Sequence, residues 1–178
     1  MGEIKSTLDL VMEKTKNLTL SNEEREEQKN KEISDRLRGL VQKFQDHILN
    51  TDNLRSDYQK LQKEYGLPNN RHLIAEICSQ ILPGKDNQAL FGLLGEFKVP
   101  GVEELKSILN EFQSVLDTAA EQRRDSMKDQ LAKTHFISGS AVVPNLENDA
   151  EWRQTAEKIN LKFTRLSDAA KSRMLTEQ

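Results

Sequence analysis

Residues 33–65 read ISDRLRGLVQKFQDHILNTDNLRSDYQKLQKEY. Within them Ile33, Leu37, Leu40, Phe44, His47, Thr51, Leu54, Tyr58, Leu61 and Tyr65 step by four and three without a slip. Side chains three and four apart share one face of an α-helix, so the spacing predicts a single amphipathic helix with a seven-residue repeat. Such a helix rises about 50 Å, and its repeat favours a partner helix at a shallow crossing angle. His47 and Thr51 are the polar positions of the seam and read as a layer that sets register or faces a gap in the packing. Gly39 lies off the seam, where glycine costs about 1 kcal/mol relative to alanine without ending a helix.

Working outward, Ser21 and Glu24 form an S-x-x-E capping box that opens the helix, and Glu23, Glu24, Glu26 and Glu27 complement its dipole. The predicted long helix therefore spans 22–65. Upstream, Ile4, Leu8, Val11, Thr15 and Leu18 share one face of a short helix over 1–18. Downstream, Gly66-Leu67-Pro68 stops the long helix, because glycine suits a C-cap and proline disfavours helix at the residue before it. Two short apolar helices follow over 69–98. The first carries Leu73, Ile74, Ile77, Cys78, Ile81 and Leu82; the second, capped by Asp86 or Asn87, carries Leu90, Phe91, Leu93, Leu94 and Phe97.

After Pro100-Gly101, Val102, Leu105, Ile108, Leu109, Phe112, Val115, Leu116 and Ala119 begin a second long helix over 102–134, with Asp129 and Lys133 placed for an i, i+4 pair. Residues 136–147 have no helical period and read as an extended connector able to pair briefly as a strand. Asn148 or Asp149 caps a last helix over 149–175, whose Trp152, Ala156, Ile159, Phe163, Leu166 and Ala170 keep the four-three spacing. The expected fold is one all-α domain over 1–178, an elongated antiparallel helical bundle or coiled coil. In it the helices 22–65 and 102–134 pair, 69–98 forms a short-helix cap, and the last helix lies alongside.

Composition limits the function classes. The chain has 178 residues, 31% of them charged, 35% apolar and 5% aromatic, which suits long helices that each bury one stripe. A net charge of −3 with acids and bases interleaved gives no basic patch for nucleic acid. No stretch approaches the roughly 20 apolar residues of a membrane span, and the N-terminus lacks the pattern of a secretory signal. With a single cysteine, Cys78, the expected setting is the reducing cytoplasm.

Motifs for chemistry are sparse. His47, His72 and His135 have no second ligand at metal spacing, so neither a metal nor a cofactor is expected. Cys78 sits within an apolar stripe and reads as core, not nucleophile. Gly84-Lys85 lacks the upstream glycines of a phosphate loop, and Gly92 with Gly95 is no dinucleotide fingerprint. Met1-Gly2 with Ser6 matches the loose myristoylation pattern and Asn17-Leu18-Thr19 a formal glycosylation sequon; neither carries weight in a mixed-charge cytoplasmic chain. In the connector, Ser138, Gly139 and Ser140 combine small size with hydroxyls and free amides, a chemistry that can hold an anion or a peptide strand.

Met1–Thr15, MGEIKSTLDLVMEKT, resembles the start of small uncharacterised bacterial helical proteins, and the Ser138–Pro144 stretch adds a second similarity. The resemblance implies a bacterial source and brings no activity. From the residues themselves no catalytic group is expected. The expected function is a non-enzymatic protein–protein interaction or scaffold protein acting through Leu37, Leu40, Phe44, Leu54, Tyr58 and Leu61, with another copy or another protein as partner. The alternative is a small adaptor or regulator that binds a peptide or anionic ligand at the 138–145 connector.

Overall fold

The computed structural model describes residues 21–176, and the helix expected over 1–18 lies outside them, as do the myristoylation pattern and the sequon. Six helices follow in order: α1 (Asn22–Gln45), α2 (Thr51–Tyr65), α3 (Arg71–Gln80), α4 (Gln88–Glu96), α5 (Val102–His135) and α6 (Ala150–Thr176). The described residues contain no strand, and the chain is an all-α helical bundle. No helix among them is long and apolar enough to cross a membrane.

The helix expected to run unbroken over 22–65 is two helices. The α1 ladder ends in a Schellman turn, in which Ile48 N–H donates to the Lys43 carbonyl at 2.9 Å and His47 N–H to the Phe44 carbonyl at 3.0 Å. His47 takes the left-handed conformation at φ 57° that glycine usually supplies. Asn50 then caps α2, its side chain accepting from Asn53 N–H at 2.8 Å. The two polar seam positions thus mark a reversal, and His47 is exposed in the turn instead of forming a buried layer.

The reversal lets α1 and α2 cover each other's apolar faces. Ile33, Leu37, Leu40 and Val41 are buried on α1, and Leu54 and Tyr58 on α2, while Phe44, Leu61 and Tyr65 pack half-buried against the same core. Arg36 donates to Glu64 at 3.0 Å and Tyr65 to Glu32 at 2.7 Å, fixing an antiparallel register. Tyr58 Oη donates to the Asn69 carbonyl at 2.8 Å and ties α2 to the turn before α3. The capping box of Ser21 and Glu24 forms as expected, and Gly66 closes α2 at φ 69°.

α5 pairs chiefly with α6, not with the N-terminal helices. Arg173 donates to Glu104 at one end, the Phe112 and Phe163 rings meet edge to face at 5.6 Å in the middle, and Arg123 meets Asp149 at the other, so the pair is antiparallel. A Cβ on Gly101, just before α5, would lie 3.0 Å from Met174 Cγ, and its φ of +79° is strained for any other residue. The surface pair expected between Asp129 and Lys133 is absent among the described residues; Lys128 instead meets Asp125 at 3.3 Å.

α3 sits between the two hairpins, against α1 on one side and α6 on the other, with α4 bridging α3 and α5. α3 is therefore packed between the two hairpins where an end cap was expected, with α4 on its α5 side. On α6 the buried positions are Phe163, Ser167, Ala170 and Met174, so Leu166, expected in the core, is exposed and Ser167 takes its place. Ser167 is 1% exposed, and its hydroxyl has no hydrogen-bond partner among the described residues.

Two substitutions check these assignments. Ser167→Ala removes a buried unpaired hydroxyl from a helix interior and is expected to raise stability by about 1 kcal/mol. A lower denaturation midpoint would mean that the hydroxyl has a partner. His47→Gly relieves a left-handed residue and is expected to be neutral or stabilising by up to about 1 kcal/mol. In an unbroken helix the same change would destabilise by about 1 kcal/mol, so urea titration reads the turn from the sign alone.

Candidate functional site

The six positions expected to carry the interaction, whose cover the spacing left open between this chain and another, are turned inward. Leu37, Leu40, Leu54 and Tyr58 are buried, Phe44 and Leu61 are half-buried, and α1 covers α2 as a partner helix would. Among the remaining groups with chemical potential, Cys78 is buried in α3, and burial pushes its thiol up to about 11, which leaves little nucleophilic thiolate. Glu76 is a buried carboxylate that the helical periodicity did not single out. It accepts from Ser34 Oγ and Arg38 Nε at 3.3 Å and from Gln80 Nε2 at 3.1 Å, so it is satisfied as a polar clasp between α1 and α3. No group of three or more His, Cys, Asp or Glu side chains gathers among the described residues in a way that could hold a metal.

The connector leaves α5 through Phe136, whose φ of 56° ends the helix, and reverses at Gly139, where Val142 N–H donates to the Gly139 carbonyl at 3.2 Å. Ser138, Gly139 and Ser140 are all exposed on this turn. Gly139 has φ 135°, and apart from its chain neighbours no described atom lies within 4 Å of a Cβ built on it. The apolar residues around them are less expected. Phe136 is 90% exposed, Val143 79% and Ile137 49%, on the two sides of the turn.

The far end of the connector is fastened. Pro144 and Leu146 are buried, and Asp149 both caps α6, accepting from Trp152 N–H at 2.7 Å, and receives Arg123 through two bonds of 2.8 and 2.7 Å. Arg123 also reaches Glu151 at 2.6 Å. The Arg123 and Asp149 side chains are only 18% and 13% exposed, which sets this pair apart from the solvated ion pairs elsewhere. The helical spacing of α5 gives no hint of Arg123, whose partner lies 26 residues away.

A second concave feature lies where α4 crosses α5. It is a cleft of about 730 Å³ with Phe91, Gly92 and Gly95 on one wall, Lys106, Leu109 and Asn110 on the other, and the 84–87 turn at one end. Asn87 holds that turn, donating to the Leu82 and Lys85 carbonyls at 2.9 Å and accepting from Leu82 N–H at 3.2 Å. Two glycines in a nine-residue helix cost roughly 1 kcal/mol each relative to alanine. Apart from α4's own backbone and the adjacent residues, no described atom lies within 4 Å of a Cβ built on either, so packing against the other described elements does not call for them. That pair was the available sequence signal for the cleft.

Arg123 holds the Asp149 carboxyl below its ordinary value of 3.8, with the Trp152 amide adding to the effect. The contribution is present above the unfolded-state value and is lost as pH falls through the depressed folded one. Asp149→Asn keeps an N-cap acceptor but removes the charge. It is expected to lower the urea midpoint at pH 7, with the gap from the parent protein closing below about pH 4. A gap that stays constant from pH 7 to pH 3 would show that the ion pair contributes nothing.

No protein-family model, no curated protein sequence and no solved structure matches this chain.

Proposed function

We propose that this chain is a non-enzymatic protein–protein interaction protein whose contact surface is the connector between α5 and α6. The observation that carries the reading is the exposure of Phe136 and Val143 on either side of the 139–142 turn. An aromatic side chain standing in solvent on a held backbone is the kind of group that anchors an interface when it enters a partner's apolar pocket. The backbone beside it is fixed by buried Pro144 and Leu146 and by the Arg123–Asp149 pair, so little ordering is left to be lost on binding.

The expected stripe of Leu37, Leu40, Phe44, Leu54, Tyr58 and Leu61 serves the hairpin's own core, which moves the proposed surface to the other end of the chain's long helices. Ser138 and Ser140, exposed beside Phe136, supply hydrogen-bonding groups at the rim of the same surface.

A photo-crosslinking phenylalanine analogue placed at position 136, and in a second variant at 143, tests this in cells that express the full chain. Discrete adducts with one protein, another copy of this chain included, are expected from both positions and not from the analogue at exposed Gln59 on α2. Adducts no stronger than those from Gln59 would reject the connector as the contact surface.

A further inference from the structure

We propose that the α4–α5 cleft is a binding site for a small molecule that has a flat apolar body and one acidic group. This site is separate from the connector and does not depend on it. The cleft's volume of about 730 Å³ falls within the roughly 300–1,000 Å³ typical of small-molecule pockets. Its walls divide by chemistry. Phe91 and Leu109 are apolar, and between them Gly92 and Gly95 leave the α4 backbone bare, so a flat ring can approach to contact distance. The helix stability given up by those glycines is not returned as packing against other elements, since apart from α4's own backbone and the adjacent residues no described atom lies within 4 Å of a Cβ at either position.

The acidic group follows from the charges. Lys85 and Lys106 line the cleft with one acid, Asp86, whose carboxylate already accepts from Gln88 N–H at 3.0 Å. Lys85 has no ion-pair partner among the described residues. Lys106 stands 5.7 Å from the Phe91 ring centroid, and its partner Glu103, at 2.6 Å, is itself 84% exposed. An exposed pair of this kind contributes little, so an anion in the cleft competes for Lys106 on favourable terms. The side chains of Asn110 and Gln88 make no hydrogen bond among the described residues and face the same space, free to donate to the acid or to accept from the ligand. The lining thus carries two lysines against one acid in a chain whose net charge is −3.

The probe is 8-anilinonaphthalene-1-sulfonate, compared with N-phenyl-1-naphthylamine, which shares its ring scaffold but has no sulfonate. With the full chain, saturable binding is expected to shift the backbone amides of Gly92 and Gly95 and the side-chain amide of Asn110 in nitrogen-15 correlation spectra. The sulfonate is expected to bind about tenfold more tightly than the neutral dye. Gly92→Leu with Gly95→Leu projects into the cleft two residues that favour helix and whose Cβ atoms have room, and should weaken both dyes by at least about tenfold at unchanged helicity. Lys85→Gln with Lys106→Gln should remove the preference for the sulfonate and leave the neutral dye unaffected. That second pair carries the test even if the filled variant folds poorly. Equal affinity for the two dyes, retained binding in the filled variant, a preference that survives loss of both lysines, or binding abolished by Phe136→Ser would each overturn the proposal. The last outcome would place the dye on the connector instead.

Discussion

Leu73, Ile74 and Ile77 of α3 have no measurable solvent exposure, and their burial is the constraint on which the other helices depend. Each such side chain contributes roughly 1.5–3 kcal/mol when removed from water, and α3 can reach that state only if it is covered on several sides at once. α1 and α6 supply two of those sides and α4 a third. The two hairpins are therefore joined through a ten-residue helix that has little length with which to hold itself together. Lys171 adds a directional contact, its ammonium donating to the Ile81 carbonyl at 2.7 Å just past the C-terminal end of α3, where a positive charge complements the helix dipole. The buried Glu76 is tolerated in this setting because three donors from α1 and α3 surround it.

The α5–α6 hairpin is organised differently. Near α3 it shares the main core through Leu105, Leu109, Ala170 and Met174. Farther out, it is held by the Phe112–Phe163 contact, by half-buried Val115, Leu116, Ala156 and Ile159 with buried Ala120, and then by the Arg123 pair. The last turns of α5, past Arg123, are accompanied by the connector and not by α6, since α6 begins only at Ala150. This offset is what leaves Phe136, Ile137 and Val143 without an internal surface to cover them.

Much of the helical content was legible because it is local. Val102–His135 lacks internal glycine and proline and keeps the four-three spacing, and it folds as one helix within a residue of the expected end. The Ser21–Glu24 box and the Gly66 cap form where short-range hydrogen bonding dictates. The break after Gln45 was harder to see, because a seven-residue repeat continues through a reversal as easily as through a helix. Its clues were the polar seam positions His47 and Thr51 and the capping ability of Asn50, with histidine standing where a glycine would have been plain. The connector was recognised as non-helical, yet its serines stand free while its phenylalanine is the exposed group, a distinction that periodicity does not carry.

The sequence by itself determined the all-α class, most helix boundaries and which face of each helix is apolar, because these follow from spacing, capping and backbone chemistry over a few residues. Only the tertiary structure decided which faces meet. An apolar stripe specifies that it must be covered but not by what, since hydrophobic burial is non-directional and any stripe of similar width can serve. The reversal at His47 brought α1 onto α2, and that left α5 to pair with α6. The same pairing opened the α4–α5 cleft, brought Arg123 to Asp149 across 26 positions, and left Phe136 in solvent.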